Sequence, residues 1–305
     1  MSDTAGQPVR GDARAVQVAA QAKVNLRLRI LAREAGGYHQ IETIFLRLEL
    51  ADVVRLRRAS TNSLDVTGDA TEGALGPVEQ NLAWRALRSY AEAAGTSERF
   101  AIELEKRIPV GGGLGGGSAD AGAVLRGLDA MSASPLGDTV LLRLAAKLGA
   151  DVPFLTGMQP CALGWGRGER LLPLAAPPAR GIALLVPAFG VSTAEAYGWL
   201  GEGAARAGLD GGLLDPASLA SWQGLSSVAI NDFETVVAAH HPVLAAMVDD
   251  LRSDGCDPAM LSGSGAVVFG VLPEGATRLA TTSREPCVTL ITRSAIRVEP
   301  VSALD

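Results

Sequence analysis

The chain has 305 residues, 48% hydrophobic and only 4% aromatic, with 27 Lys and Arg against 33 Asp and Glu for a formal net charge of −6. That composition describes a globular protein whose cores are built from Ala, Leu and Val, long enough for two domains of roughly 150 residues each. It excludes a large nucleic-acid footprint, which needs a basic stripe that these scattered cations do not form, and no apolar run approaches a membrane span, so small molecules are the expected partners.

The opening MSDTAGQPVRGDAR is polar and mixed in charge, which predicts a short disordered lead over 1–14. From Val16 to Val66 the pattern is strand-like, in four pieces (VQVAA, VNLRLRIL, IETIFLRLEL and VVRLRR) with turn signals at Gly36-Gly37 and Ala51-Asp52. Residues 81–94, NLAWRALRSYAEAA, have helical apolar spacing at Leu82, Leu87 and Tyr90, an Asn81 cap and a Gly95 stop. The alternating FAIELEKRI reads as a strand whose end delivers a glycine loop. Helices are expected over 118–131 and 139–148, the second closed by Gly149. The composition shifts at PLAAPPAR, 173–180, which suggests a boundary between one domain over 15–175 and another over 176–305. Beyond it come a buried-type strand IALLVP, helices near 192–200 and 231–253, strands AMLS and AVVFGVL, a helix from about Glu274, and a last strand CVTLIT. That order is a second α+β layer. Cys161, Cys256 and Cys287 show neither CxxC nor Cys/His spacing, which suits free thiols in a reducing cytoplasm.

KRIPVGGGLGGGSADAG, 106–122, places six glycines in the seven positions 111–117 and runs straight into a helix. Glycines between a strand and a helix let backbone amides turn inward and a ligand approach without Cβ clashes, and the helix dipole adds positive potential, so a phosphate is the natural guest. The GxxxxGK[ST] pattern fails because no Lys follows the glycines. Gly111, Gly113 and Gly116 satisfy GxGxxG, but a Rossmann unit follows its helix with a strand ending in an acid, and 129–148 read as turn and helix. A third type, with Pro before the glycines and a helix after, is that of the galactokinase, homoserine kinase, mevalonate kinase and phosphomevalonate kinase superfamily; Pro109 and 111–117 match it.

Within that superfamily the chain resembles the 4-diphosphocytidyl-2-C-methyl-D-erythritol kinases of the non-mevalonate isoprenoid pathway. The matching pieces are AKVNLRLRI (22–30), GGYHQIETIF (36–45), KRIPVGGGLGGGSADA (106–121), LGADVPF (148–154), GRGERL (166–171), NDFE (231–234) and LSGSGA (261–266), in the family's order. The resemblance implies an α+β fold of two domains, the first like domain 2 of ribosomal protein S5 and the second ferredoxin-like, with the site between them. It implies a cytoplasmic enzyme that moves the γ-phosphoryl of ATP, with Mg2+, onto a hydroxyl of a cytidine-diphosphate-linked methylerythritol.

By the same resemblance Asp151 accepts the hydroxyl proton and Lys23 holds both Asp151 and the hydroxyl. Asn25 orients the substrate, Tyr38 stacks on the cytosine, His39 reads its edge, and Tyr197 closes the other side. Gly111, Gly112, Gly113, Leu114, Gly115, Gly116, Gly117 and Ser118 wrap the ATP phosphates, Asn81 and Lys106 lie near the adenine, and Gly263 and Gly265 close the site from the second domain. Taken alone, several of these residues read otherwise. Asp151 follows a helix stop, where Asp is an ordinary turn residue. Lys23 begins a strand, where a lysine commonly snorkels, although alternation puts it on one face with Asn25. Asn81 is a cap, Lys106 a strand-end surface charge, NDFE a capped helix start at Asn231 or Asp232, and Ser192 with Glu195 a capping box. Two departures stand out: Gln21 replaces the family's Pro before AK, and Gly116 and Gly117 stand where related kinases carry a Ser that ligates Mg2+, so no protein ligand for the ion is assigned. Another small-molecule kinase of the superfamily, or a catalytically silent ATP-binding regulator, would share the loop.

Overall fold

Two long antiparallel strands organise the first half of the computed structural model, which describes Gly11 and residues 13–34, 36–68, 76–201 and 214–304. The lead expected over 1–14 therefore lies mostly outside the described residues. β1 (Ala15–Arg33) and β2 (His39–Ala59) pair from Ala15↔Arg57 to Arg33↔His39, with register shifts between Gln21 and Lys23, Asn25 and Arg27, and Ile30 and Ala32. Of the two turn signals read from the sequence, only Gly36-Gly37 separates strands. Asp52 stays inside β2 because its carboxylate points inward, where it accepts the amides of Arg107 (2.5 Å) and Ile108 (2.8 Å).

β3 (Ser63–Thr67) runs parallel to β4 (Arg99–Glu105), which pairs with the second half of β2. α1 (Leu82–Ala94) begins and ends as its sequence dictates: Asn81 Oδ1 accepts the Ala83 amide at 2.9 Å, and Gly95 closes the helix at φ 59°. α2 (Gly116–Met131) starts two residues earlier than read, since Gly116 and Gly117 are already helical, and α3 (Asp138–Leu148) follows. α4 (Val152–Thr156) and the hairpin of β5 (Cys161–Gly166) and β6 (Arg170–Leu174) escape the sequence reading. A five-residue helix is too short to show a period. β5 pairs with the first half of β2, from Ile41↔Gly166 to Leu46↔Cys161.

The second sheet has the order β11-β7-β10-β9, formed by β7 (Gly181–Pro187), β9 (Ala259–Leu261), β10 (Val268–Val271) and β11 (Cys287–Arg293), all antiparallel. The unbroken apolar run of β7 has a direct cause: Ile182 and Leu184 face the core built on β1, β2 and α2, while Ala183 and Leu185 face a second core. That second core is supplied by α5 (Thr193–Leu200), α7 (Glu234–His240) and α8 (Pro242–Ser253), with α6 (Trp222–Ser227) packed on the first core. Two short pieces of the second half join the first sheet: β8 (Ile230–Asn231) runs parallel to β1, and β12 (Ser302–Leu304) pairs antiparallel with Ala15–Gln17. Gln21 contributes to the same tie, accepting the Glu299 amide at 3.0 Å and donating to Leu48 O, so it is a buried clasp.

Two expectations are corrected. The helix read over 231–253 is two helices, broken where Pro242 lacks an amide and holds His241 out of the helical region at φ −132°, ψ 76°. The helix expected from Glu274 is a loop, whose amides go to side chains of the preceding helix segment instead of to an i−4 ladder: Ala280 N and Thr281 N donate to Asp254, and Arg284 N to Asp250. Among the described residues no helix is long and apolar enough to cross a membrane.

Candidate active site

Lys23 sits at the first irregularity of β1 and is 3% exposed, against the ordinary expectation for a lysine at a strand start. Its Nζ donates to Asn25 Oδ1 (2.7 Å) and Gly113 O (2.8 Å) and lies 3.2 Å from Asp151 Oδ2. One ammonium thus joins β1, the glycine loop and the residue that opens α4. Asn25 is fixed in turn: its Nδ2 donates to Thr43 Oγ1 (2.8 Å), which donates to Arg27 O (2.7 Å). This relay settles the amide's orientation, with Oδ1 toward Lys23. Asp151 keeps 29% of its side chain exposed, so the carboxylate is paired on one side and open on the other.

The glycine loop lies beside this cluster. Gly111, Gly113 and Gly115 adopt φ of 74°, 77° and 73°, and α2 begins at Gly116, so the loop ends at a helix N-terminus suited to an anion. The turn after β9 presses on it from the second half: Ser262 Oγ donates to Gly113 O (3.1 Å) and Val267 N to Gly112 O (3.2 Å). Gly263 lines the cleft, where a Cβ would lie 3.2 Å from Gly113 O and 3.4 Å from Lys23 Nζ, whereas Gly265 packs against Leu261. Leu114 turns its side chain into the core and offers only backbone, its carbonyl accepting Lys23 N at 3.0 Å.

Both features open into one cleft of about 1670 Å³. At its far end the His39 ring stacks on Tyr197 (centroids 4.5 Å apart, planes 13° apart), and Phe233 meets Tyr197 edge-on at 4.9 Å. Tyr38 is exposed and carries the Arg167 guanidinium 3.7 Å over its ring, with Arg167 also bonded to Glu34 at 2.6 Å. Burial, and then Arg33, hold the His39 imidazole below its usual pKa, so at neutral pH it is uncharged, with one donor and one acceptor nitrogen. Burial, and then Asp151, push the Tyr197 phenol up to about 12, so it stays protonated. Lys23, Arg33, Lys147, Arg167 and Arg170 line the cleft against Glu34, Asp151 and Glu169, a net positive wall in a chain whose formal charge is −6. Such a cleft draws polyanions.

Comparison with known proteins decides the family. The GHMP kinases N terminal domain matches residues 81–159 and the GHMP kinases C terminal domain residues 204–282. A 4-diphosphocytidyl-2-C-methyl-D-erythritol kinase of Nitratidesulfovibrio vulgaris is 40% identical over 262 residues, 84% of this chain and 90% of the relative. The chain belongs to this kinase family. A crystal structure of 4-(cytidine 5'-diphospho)-2C-methyl-D-erythritol kinase is 33% identical with a TM-score of 0.73, over 91% of this chain and 98% of that one. The homoserine kinase of Cytophaga hutchinsonii has a TM-score of 0.70 at 16% identity, over 95% of this chain and 98% of that one, and shares the fold. The two-domain architecture is that of the GHMP kinases.

For this kinase the structure also gives several residues surroundings that their sequence neighbourhoods did not suggest. Lys106 is not a surface charge: it is 4% exposed and its Nζ is bound by Asp120 at 2.7 Å and by Asp52. Burial opposes its charge, but the two carboxylates outweigh that and raise its pKa. Asp120, buried between Lys106 and a second carboxylate, is pushed up to about 7, chiefly by burial. Lys106, Asp120 and Asn81 line a smaller pocket of about 300 Å³ that shares the glycine loop with the main cleft. NDFE is no capped helix start. Asn231 lies in β8 and its Nδ2 donates to Leu261 O (2.9 Å) and Gly263 O (2.8 Å), while Asp232 accepts Ile30 N (2.8 Å), so the segment clasps the LSGSGA turn to β1. The Ser192–Glu195 capping box is present and sets Tyr197 one turn into α5. Arg167 has a visible signal, the GRGERL piece, but only the β5–β6 turn brings it to Tyr38.

Proposed function

We propose that this kinase transfers the γ-phosphoryl group of ATP to a hydroxyl of 4-diphosphocytidyl-2-C-methyl-D-erythritol, in the cytoplasm, with Asp151 taking the hydroxyl proton. The observation that carries the reading is the Lys23–Asp151 pair, set in one cleft between the glycine loop and the ring cluster at His39 and Tyr197. The hydroxyl oxygen attacks Pγ, its proton passes to the open side of Asp151, and ADP leaves with the bridging oxygen. A carboxylate is a weak base, so it acts when the proton departs late in a loose transition state. Lys23 balances its charge and meets charge developing on the oxygens. The loop amides and the α2 N-terminus take the phosphates, Asn81 and Lys106 flank the nucleoside side, and Tyr38, His39 and Tyr197 take the cytosine. ATP transfer uses a divalent ion to neutralise phosphate charge. Among the described residues no group of three or more His, Cys, Asp or Glu side chains could hold a metal ion, and no protein ligand is assigned to Mg2+.

The test is ADP release by the purified protein with ATP and Mg2+, offered the cytidylyl substrate beside mevalonate and homoserine. Turnover on the first alone is expected. Turnover on another alcohol refutes the substrate, and no turnover by folded, ATP-binding protein favours the regulator. Arg167, held by Glu34 and stacked on one face of Tyr38, fixes that ring and leaves its other face for the base. Arg167→Ala is therefore expected to raise KM for the cytidylyl substrate about five-fold while KM for ATP stays within about two-fold. Steady-state kinetics in both substrates check it, and an equal rise in both would remove Arg167 from the base site.

A further inference from the structure

Arg47 has the largest side chain among the fully buried residues, yet no part of the chemistry above uses it. No acidic side chain among the described residues pairs with it; the charge that acts on it is another buried guanidinium, Arg126. Burial, with that like charge, holds Arg47 well below its usual pKa. A buried guanidinium without a counter-ion is costly, and an apolar side chain of similar size would fill the space more cheaply. What Arg47 does have is carbonyls. Its Nη2 donates to Phe154 O (2.5 Å) and Gly157 O (2.7 Å), its Nε to Gln159 O (3.2 Å), and its guanidinium lies 5.0 Å from the Phe154 ring centroid. Its own amide donates to Pro160 O at 2.8 Å.

Those carbonyls are the C-terminal end of α4 and the turn after it. At the other end of the same helix, as its N-cap, stands Asp151. Five helical residues are far below the length that holds itself together, and the last carbonyls of any helix have no internal partner. The cation supplies both the missing donors and the charge that suits a helix C-terminus. Arg47 is also the cross-strand partner of Lys23 in the β1–β2 register, so one rung of the sheet carries the residue that grips α4 from its end and the residue that meets Asp151 at its start.

We propose that Arg47 is a positioning residue for Asp151: it anchors α4 by its C-terminal carbonyls and so fixes the carboxylate against Lys23. This rests on the reading of Asp151 as the base. Arg47→Met keeps the volume and removes the donors; Arg47→Lys keeps the charge with fewer of them. In Arg47→Met, amide hydrogen exchange over 152–157 is expected to rise at least ten-fold without a matching rise in β1 and β2. The value of kcat falls about ten-fold or more, and both KM values stay within about two-fold. Arg47→Lys recovers part of the loss. In the Asp151→Asn background, Arg47→Met costs little further activity, since the group it positions is already gone.

Unchanged exchange over 152–157 overturns the anchor, whatever the kinetics. Raised exchange with unchanged kcat overturns its catalytic consequence, as does an equal further loss in the Asp151→Asn background. Should Arg47→Met not fold, Arg47→Lys is read by the same three measurements. The base reading fails on different data, an unimpaired Asp151→Asn single variant, and the exchange result stands apart from it.

Discussion

Asp151→Asn is expected to lower kcat by about 100- to 1000-fold and to leave KM for ATP within about two-fold. Asparagine keeps the size of the side chain and an oxygen for the Lys23 ammonium at 3.2 Å, so the packing of α4 and the loop should not change. What it loses is the ability to take a proton on the open side. The loss is finite because most of the acceleration of phosphoryl transfer comes from positioning and from donors around the phosphates, and the loop, α2 and Lys23 all remain. Single-turnover rates with both substrates saturating check the prediction, alongside thermal unfolding to show an unaltered fold. A variant within three-fold of the parent would mean that the hydroxyl loses its proton to water or phosphate, and Asp151 would then be only a partner for Lys23.

The parts of the candidate site were legible in the sequence to different degrees. The glycine loop and α1 announce themselves because their signals are local: Asn81 and Gly95 cap a helix from its own ends, and Pro109 with six glycines defines a turn within a few residues. Lys23 and Asp151 reach notice through a family resemblance, and the structure shows why residue type alone is silent there. Each looks like an ordinary strand-start lysine and an ordinary turn aspartate until the β1–β2 register and the short α4 bring them together. Long-range acceptors are the least visible. Asp52 looks like half of a turn, and its partners Lys106, Arg107 and Ile108 lie more than fifty residues away. Asp250 and Asp254 likewise divert a segment that reads as a helix into a loop by taking its amides.

The seam between the two halves is closed by backbone as much as by side chains, and Gly113 is one place where the two press together. A Cβ at Gly113 would lie 2.0 Å from Ser262 O and 3.3 Å from Gly265 O, and the residue sits at φ 77°. Its carbonyl meanwhile accepts from both Lys23 Nζ and Ser262 Oγ. Gly113→Ala is therefore expected to cost about 3 to 5 kcal/mol of stability, the left-handed conformation and the collision adding, and to weaken ATP binding by about 100-fold or more as the loop retreats from the LSGSGA turn. Gly111→Ala separates the two causes. It shares the backbone conformation, at φ 74°, but a Cβ there meets nothing within 4 Å. It should cost only about 1 to 2 kcal/mol. Urea unfolding of both variants, with nucleotide titration by calorimetry, measures the difference. If Gly113→Ala is no less stable than Gly111→Ala, the loop and the turn are not in contact in solution, and the contacts that Gly113 O makes with Lys23 and Ser262 do not hold the two halves together.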